Sequence, residues 1–387
     1  SRGMRICHVS PHLPPDQAAN ALLPAQLGTW SQAAGDIVSF VTQPPSQSRA
    51  SSDTLPGPVR RVSARSSSRL SRWLRIDTIR RSRSIVAALN DVARDADVLH
   101  LHSNGLIVEI AAAWARRHRK PYILTLYGTE IWHYRRRWPI DPFTRAYRQA
   151  AAVTFYSDRL MARAKAVGLA RPALSVIYPP VSPTFIPVDE ATRAAWRAAL
   201  GIAEPHVLLN VKRLHPLADQ ATLIEAFAKL ARGRADVRLV ICGSGPLRTD
   251  LESLASRTGV AASVSFAGLV PNDRVAQYAA VADIFVLPSL LEALPTVAVE
   301  ALAAGTPVVS ADHPGGQELH ALFGDDVEVV PKHDVARLHD ALAAALAAPR
   351  RTRPETAQIV RERFSPEAVK RAYDRVYRES LESTGKA

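Results

Sequence analysis

The chain predicts an α/β fold of two parallel-sheet halves, and three observations carry that expectation. Short apolar runs alternate with longer amphipathic segments along 387 residues, the pattern of strands covered on both faces by crossing helices. The alternation breaks once, at the proline cluster YPPVSPTFIP (178–187), and then restarts; such a run suits a stiff linker. A chain of this length is also too long for one ordinary core.

Each element follows in order. Ser1–Gly3 read as a leader ahead of Met4, and Met4 to Ser10 (MRICHVS) as the first buried strand. A Pro-containing loop leads to a helix from Asn20 to Ala34 and a strand from Ile37 to Thr42. The polar, Pro- and Ser-rich stretch 43–58 is expected to be a mobile loop. Helix is expected near Ile79 to Ala93 and from Leu106 to His118, with strands at Val98 to His102 and Tyr122 to Leu126. A helix from about Pro142 and a strand at Val153 to Tyr156 close this half. Beyond the linker come strands at Val207 to Val211, Val237 to Cys242, Val264 to Ala267 and Ile284 to Leu287. Helices are expected at Asp219 to Arg232 and Pro246 to Thr258, and a last one at Pro366 to Leu381. No solenoid-period repeat is present. The chain reads as two Rossmann-like domains, 1–180 and 181–365, facing a cleft, with a closing helical segment, 366–387.

Charge divides unevenly. Residues 1–187 carry 26 Lys+Arg against 11 Asp+Glu, and residues 188–387 carry 23 against 25. A basic first half beside a near-neutral second implies that only the first meets a polyanion or an anionic surface. Its densest run, 59–84, holds nine arginines interleaved with Leu70, Trp73, Leu74 and Ile76. On a helix this suits an anionic membrane surface; a solvated basic loop is the plainer alternative, and nucleic acid is the less favoured partner. Arg135–Arg137 add to the same charge. Cys7 and Cys242 sit in apolar strand-like runs and read as core thiols, with no zinc spacing and no disulfide framework. No apolar run near the start suits a signal peptide and none has transmembrane length, which points to the cytoplasm. No Asp-x-Asp stands where a metal-dependent transferase would need one, adjacent Asp325 and Asp326 read as a solvated turn, and His100 and His102 alternate along a strand with one expected to face the cleft and no third ligand in view. No metal is therefore expected.

The richest chemistry lies in FVLPSLLEALPTVAVEALAAGTPVV (285–309). An apolar strand runs into a turn carrying Glu292, a helix brings up Glu300, and a second strand follows Gly305. Eight positions are slightly over two helical turns, so the two acids would share a face if both were helical. The first sits at the strand-to-helix turn, where free backbone N–H groups can hold an anion. Together these suit a sugar attached to a phosphate. The stretch resembles the Glu-x7-Glu signature of the retaining glycosyltransferases of the GT4 group, which have the GT-B fold. VKRLHP, ICGSGPLRTDLE, FAGLVPNDRVAQYAAVADIFVLPS and the GG of HPGGQEL follow the same family order.

That resemblance implies a nucleoside-diphosphate sugar donor, a UDP-sugar favoured and GDP-mannose next, with no cofactor. It implies a saccharide or lipid-linked saccharide acceptor in surface-polysaccharide or glycoconjugate assembly. In GT-B enzymes the end of the chain crosses back onto the first domain. Arg213 occupies the family's diphosphate-binding position. The family's lysine five residues on is here Ala218, so Lys212 is the candidate replacement, although neighbours on a strand point to opposite faces. Glu300 is expected to accept from the ribose diol and Glu292 from donor-sugar hydroxyls. Amides around Leu294 and Thr296 would hold phosphate or sugar, Gly243 permits close approach, and Gly268 with Val270 matches the base-binding edge. On the acceptor side stand Gln17 and Asn20, in a loop where the family has a Gly-Gly pair, and Glu130 and His133. Tyr127 replaces a family histidine and is expected to hydrogen-bond the donor sugar. Asn20 also suits a helix cap. A sugar-nucleotide 2-epimerase of the same fold, and a non-catalytic module binding a nucleotide or an anion, remain the alternative readings.

Overall fold

A computed structural model describes residues 2–46, 55–137 and 139–385. Ser1 of the expected leader and residues 47–54 of the expected mobile loop lie outside the described residues. The chain forms two compact units, Ser1–Tyr178 with Val369–Ala387, and Pro179–Ala368.

In the first unit seven strands lie parallel: β1 (Arg5–Ser10), β2 (Ile37–Thr42), β3 (Val59–Arg61), β4 (Val98–His102), β5 (Tyr122–Leu126), β6 (Ala152–Phe155) and β7 (Ala173–Val176). Their order is β3-β2-β1-β4-β5-β6-β7, so the direction of winding reverses between β1 and β4. One face packs helices Ile76–Val92, Leu106–Arg117, Pro142–Gln149 and Asp158–Ala166 through residues such as Ile85, Ile107, Tyr147 and Leu160. The other face is closed by helix Ala19–Ala33 and by the last helix, Pro366–Glu382, which brings Val369, Tyr373, Val376 and Tyr377 into that layer. Apolar residues on both sides of each central strand explain why the strands read as unbroken apolar runs.

The second unit repeats the plan with β8 (His206–Val211), β9 (Val237–Cys242), β10 (Val264–Gly268), β11 (Ile284–Leu287), β12 (Val308–Ala311) and β13 (Val327–Val330). The order β10-β9-β8-β11-β12-β13 reverses between β8 and β11. Such a reversal parts the following loops and opens a crevice at the carboxyl ends of the strands.

Several expectations are corrected. The arginine-rich run 59–84 is neither one helix nor a loop: it supplies β3, a short helix Arg69–Trp73 and the start of helix Ile76–Val92. Asp326 is not in a solvated turn but fully buried, accepting from Thr356 Oγ1 at 2.6 Å and the Arg353 amide at 2.9 Å, and so anchors the segment that leaves the last strand's helix. His100 and His102 both point inward with no exposure, because residues two apart on a strand share a face. Both cysteines are buried and free, and burial pushes their thiols up to about 11 for Cys7 and about 12 for Cys242. Among the described residues no helix is long and apolar enough to cross a membrane.

Candidate functional site

The expected donor residues gather along the carboxyl edge of the second sheet. Lys212 and Arg213 leave β8, Gly243 leaves β9, Gly268 ends β10, and Glu292 sits in the turn after β11. Helix Thr296–Ala303 then carries Glu300. β8 and β11 flank the reversal, and there Lys212 Nζ lies 2.5 Å from Glu292 Oε1. The pair spans 80 positions of sequence, and only the strand order brings it together.

The opposite-faces expectation for the two cations needs refinement. Both residues lie past the end of β8, where strand alternation no longer holds. Lys212 is half-buried toward Glu292, while Arg213 is exposed and its guanidinium makes no hydrogen bond or ion pair among the described residues. Ala218 is 2% exposed, tucked into the single 3-10 turn Pro216–Ala218.

Backbone donors stand beside these charges. Helix Thr296–Ala303 starts after Pro295 with no side-chain cap, and neither the Leu294 nor the Thr296 amide is hydrogen-bonded among the described residues. Such free donors at a helix start favour an anion. The Glu300 carboxyl, half-buried one turn along, has no hydrogen-bond partner among the described residues, and desolvation pushes it up to about 7. Gly243 allows a close backbone approach: at φ 144° an added Cβ would stand 2.1 Å from the Lys212 carbonyl oxygen. Gly268 (φ 71°) accepts from the Gly243 amide at 2.7 Å, and Val270 lies half-buried two residues on.

Gly315 carries a part that motif reading did not assign. Its amide donates to the Glu292 carbonyl at 2.9 Å, and a Cβ there would meet Pro295 Cδ at 2.8 Å. The Gly-Gly pair therefore lets helix Pro314–Phe323 seat directly on the Glu292 turn, while His313 Nδ1 caps that helix by accepting from the Gly316 amide at 2.8 Å. A glycine pair in the first turn of a helix was the available signal.

The first unit's candidates sit at the corresponding edge of their own sheet. Tyr127 follows β5, and its hydroxyl lies 2.8 Å from His102 Nδ1. His102 Nε2 in turn lies 3.0 Å from His8 Nδ1, and His8 Nε2 is buried without a partner. His100 meets the Tyr377 hydroxyl at 2.7 Å and the Thr125 hydroxyl at 2.6 Å. The third histidine that spacing did not reveal is thus His8, brought opposite His100 by the β1–β4 pairing. The cluster does not fit an ion: His100 and His102 stack face to face, 3.9 Å between centroids, so their in-plane lone pairs run side by side. Both nitrogens of His100 already meet hydroxyls. Burial holds all three imidazoles below their usual range, His8 at about 3, so they are neutral, and His8 and His102 form a relay ending on Tyr127.

The other first-unit candidates divide by burial. Glu130 is 5% exposed, and its Oε1 accepts from the Tyr127 amide at 2.5 Å and the Gly128 amide at 3.2 Å, so it shapes the turn from within. His133 is exposed. Gln17 is exposed, donating to the Pro15 carbonyl at 3.2 Å. Asn20 does not cap its helix, a position taken by Ala18, and its side-chain oxygen is buried without a partner.

Removing the Tyr127 hydroxyl alone tests the relay. Tyr127→Phe leaves His102 Nδ1 unpaired and is expected to cost about 1–3 kcal/mol of stability, read as a lower melting midpoint. Nucleotide affinity should stay unchanged, because the nucleotide candidates belong to the second unit. A full melting temperature would show that the hydroxyl bond carries no weight in the fold.

Comparison with known proteins adds independent findings. Residues 25–185 match the family described as Glycosyltransferase Family 4, and residues 192–368 the family described as Glycosyl transferases group 1. A GDP-mannose-dependent alpha-(1-6)-phosphatidylinositol monomannoside mannosyltransferase of Mycolicibacterium smegmatis is 34% identical over 209 residues, 52% of this chain and 54% of that protein. The chain thus spans about half the length of the curated relatives it matches. Two solved structures share its architecture: sucrose-phosphate synthase from Thermosynechococcus elongatus, 21% identical, and Anabaena HepE in complex with UDP, 17% identical. Each has a TM-score of 0.77, and each alignment covers 98% of this chain and 100% of the other.

Proposed function

The chain has the GT-B glycosyltransferase fold, with a Family 4 domain followed by a group 1 domain, and from that premise we propose that it moves a sugar from a nucleoside-diphosphate sugar to an acceptor hydroxyl with retention of configuration and without a metal. The observation that carries this reading is the edge where Lys212, Glu292, Glu300 and the free Leu294 and Thr296 amides stand together. Breaking the sugar–phosphate bond leaves negative charge on a diphosphate, and fixed cations and N–H dipoles lower the barrier by meeting that charge as it grows. In this assignment Lys212, Arg213 and the amides hold the diphosphate, Glu292 the sugar hydroxyls and Glu300 the ribose diol. Gly243, Gly268 and Val270 leave room for the base.

The acceptor oxygen attacks on the face from which the diphosphate departs. Its bond to the anomeric carbon forms as the carbon–oxygen bond to phosphate breaks, and a phosphate oxygen takes the hydroxyl proton. No protein nucleophile is required. The acceptor is a saccharide or lipid-linked saccharide, in line with the lipid acceptor in the mycobacterial relative's name, and the proposed workplace is the cytoplasmic face of a membrane, reached peripherally. On the first unit, Gln17, Asn20, Glu130 and His133 are the proposed acceptor-side groups, and Tyr127 remains the candidate for a hydrogen bond to the donor sugar.

Donor identity is the deciding experiment. GDP-mannose appears in the name of a curated relative, and UDP in a structural neighbour. Calorimetric titration with UDP-, GDP- and ADP-sugars should give one donor that binds more tightly than its own nucleoside diphosphate. Isomerisation of the sugar nucleotide without an acceptor would instead favour an epimerase, and binding of none would favour a non-catalytic module.

A further inference from the structure

Six large apolar side chains stand exposed within seventeen residues of the first unit: Leu70 (65%), Trp73 (78%), Leu74 (48%), Ile76 (52%), Ile79 (54%) and Val86 (36%). Elsewhere among the described residues exposed apolar side chains are scattered singly, which is ordinary for a protein surface. Clustering is not.

The helix Ile76–Val92 shows why this face is separate from the core. Its inward face carries Asp77, Ile85 and Leu89, all buried. The opposite face carries Ile76, Ile79, Arg83 and Val86, spaced by three, four and three residues, so that they form one outward stripe. Helix Arg69–Trp73 packs beside it and adds Leu70 and Trp73, with Leu74 at its end. Two helices thus present a second apolar surface that the fold leaves uncovered.

Its charge selects the occupant. Between residues 62 and 90 the only acid is Asp77, which is buried, paired with Arg80 at 2.8 Å, and accepts from the Ser66 amide at 2.9 Å. The side chains of Arg69, Arg72 and Arg83 are exposed and make no hydrogen bond or ion pair among the described residues. A second copy of the same surface would bring arginines against arginines. An anionic bilayer offers both complements: phosphates for the guanidinium groups and an acyl boundary for the apolar stripe, with tryptophan suited to the headgroup level.

We propose that residues 69–86 are a bilayer-docking surface for anionic phospholipid, in which Leu70, Trp73, Leu74, Ile76 and Ile79 insert at the headgroup boundary while Arg69, Arg72 and Arg83 engage phosphates. This gives the peripheral workplace proposed above a defined surface, and its test needs no donor, so loss of the transfer reading would leave it standing.

Flotation with vesicles of phosphatidylcholine and phosphatidylglycerol, against phosphatidylcholine alone, reads it directly. The chain is expected to bind the mixed vesicles and to be released as salt rises. Leu70→Ser with Trp73→Ser, which keeps every arginine, should weaken binding by about tenfold or more, and Arg69→Ser with Arg72→Ser and Arg83→Ser should reduce it to the level seen with phosphatidylcholine. All these positions are exposed, so circular dichroism and melting should match the parent chain. Equal binding to both vesicle types, unaltered binding by either variant, or capture by single-stranded RNA in preference to anionic vesicles would each overturn the proposal.

Discussion

Lys212→Ala is expected to lower turnover by about 100- to 1,000-fold, the usual effect of deleting one positioned donor to developing charge. The reason is the place of its ammonium, 2.5 Å from Glu292 across the point where the second sheet reverses. An ammonium has three donors, so holding Glu292 leaves two for a diphosphate. The paired alternative, that Lys212 serves only to orient Glu292, makes a different forecast. Affinity for the bare nucleoside diphosphate would then be unaffected, and only the additional affinity due to the sugar would fall. Ala218→Lys should restore little, because the alanine is only 2% exposed and a much longer side chain there would have to displace packed neighbours. Full turnover in Lys212→Ala would mean that Arg213 and the free amides suffice.

Glu300→Ala should weaken nucleoside-diphosphate binding by roughly 10- to 150-fold, the equivalent of about 1.5–3 kcal/mol for a hydrogen bond to a charged group. Glu292→Ala should spare that affinity and remove the sugar's share. Unchanged affinity in the Glu300 variant would end the ribose assignment. The carboxyl at about 7 also predicts a pH dependence. Accepting from a diol favours the carboxylate, so affinity should rise as pH climbs through 7, and Glu300→Gln should lose that slope. Stability runs the other way. The folded protein keeps the proton longer than the unfolded chain, so stability is highest below the ordinary glutamate value of 4.5 and falls as pH rises toward about 7, beyond which the loss is complete. Melting curves of the parent and of Glu300→Gln across that window separate this contribution from other groups.

What could be read without coordinates follows from how local each signal is. Ile37–Thr42, Val98–His102, Tyr122–Leu126, Val237–Cys242 and Ile284–Leu287 are buried on both faces, so each appears as a continuous apolar run with its own limits. β3 gave no such signal: it is a three-residue edge strand with two exposed arginines, and its pairing with β2 is what makes it a strand. β7 and β13 are four-residue strands at sheet edges and were equally silent. The candidate site divides in the same way. The two glutamates and Arg213 are visible because a motif is local, whereas the Lys212–Glu292 pair and the His8–His102–Tyr127 relay depend on strand order. Periodicity cannot report which strands become neighbours. Asn20 shows the limit of capping rules, since its helix begins at an alanine.

The last helix sets a timetable for the ribosome. Tyr373 and Tyr377 close the layer over His100, yet they are translated after the whole of the second unit. While residues 179–368 emerge and collapse, the first sheet waits with its histidine-lined face uncovered. Nascent chains halted before Val369 should therefore hold a completed second unit beside an unfinished first one, the state most exposed to chaperones and to aggregation.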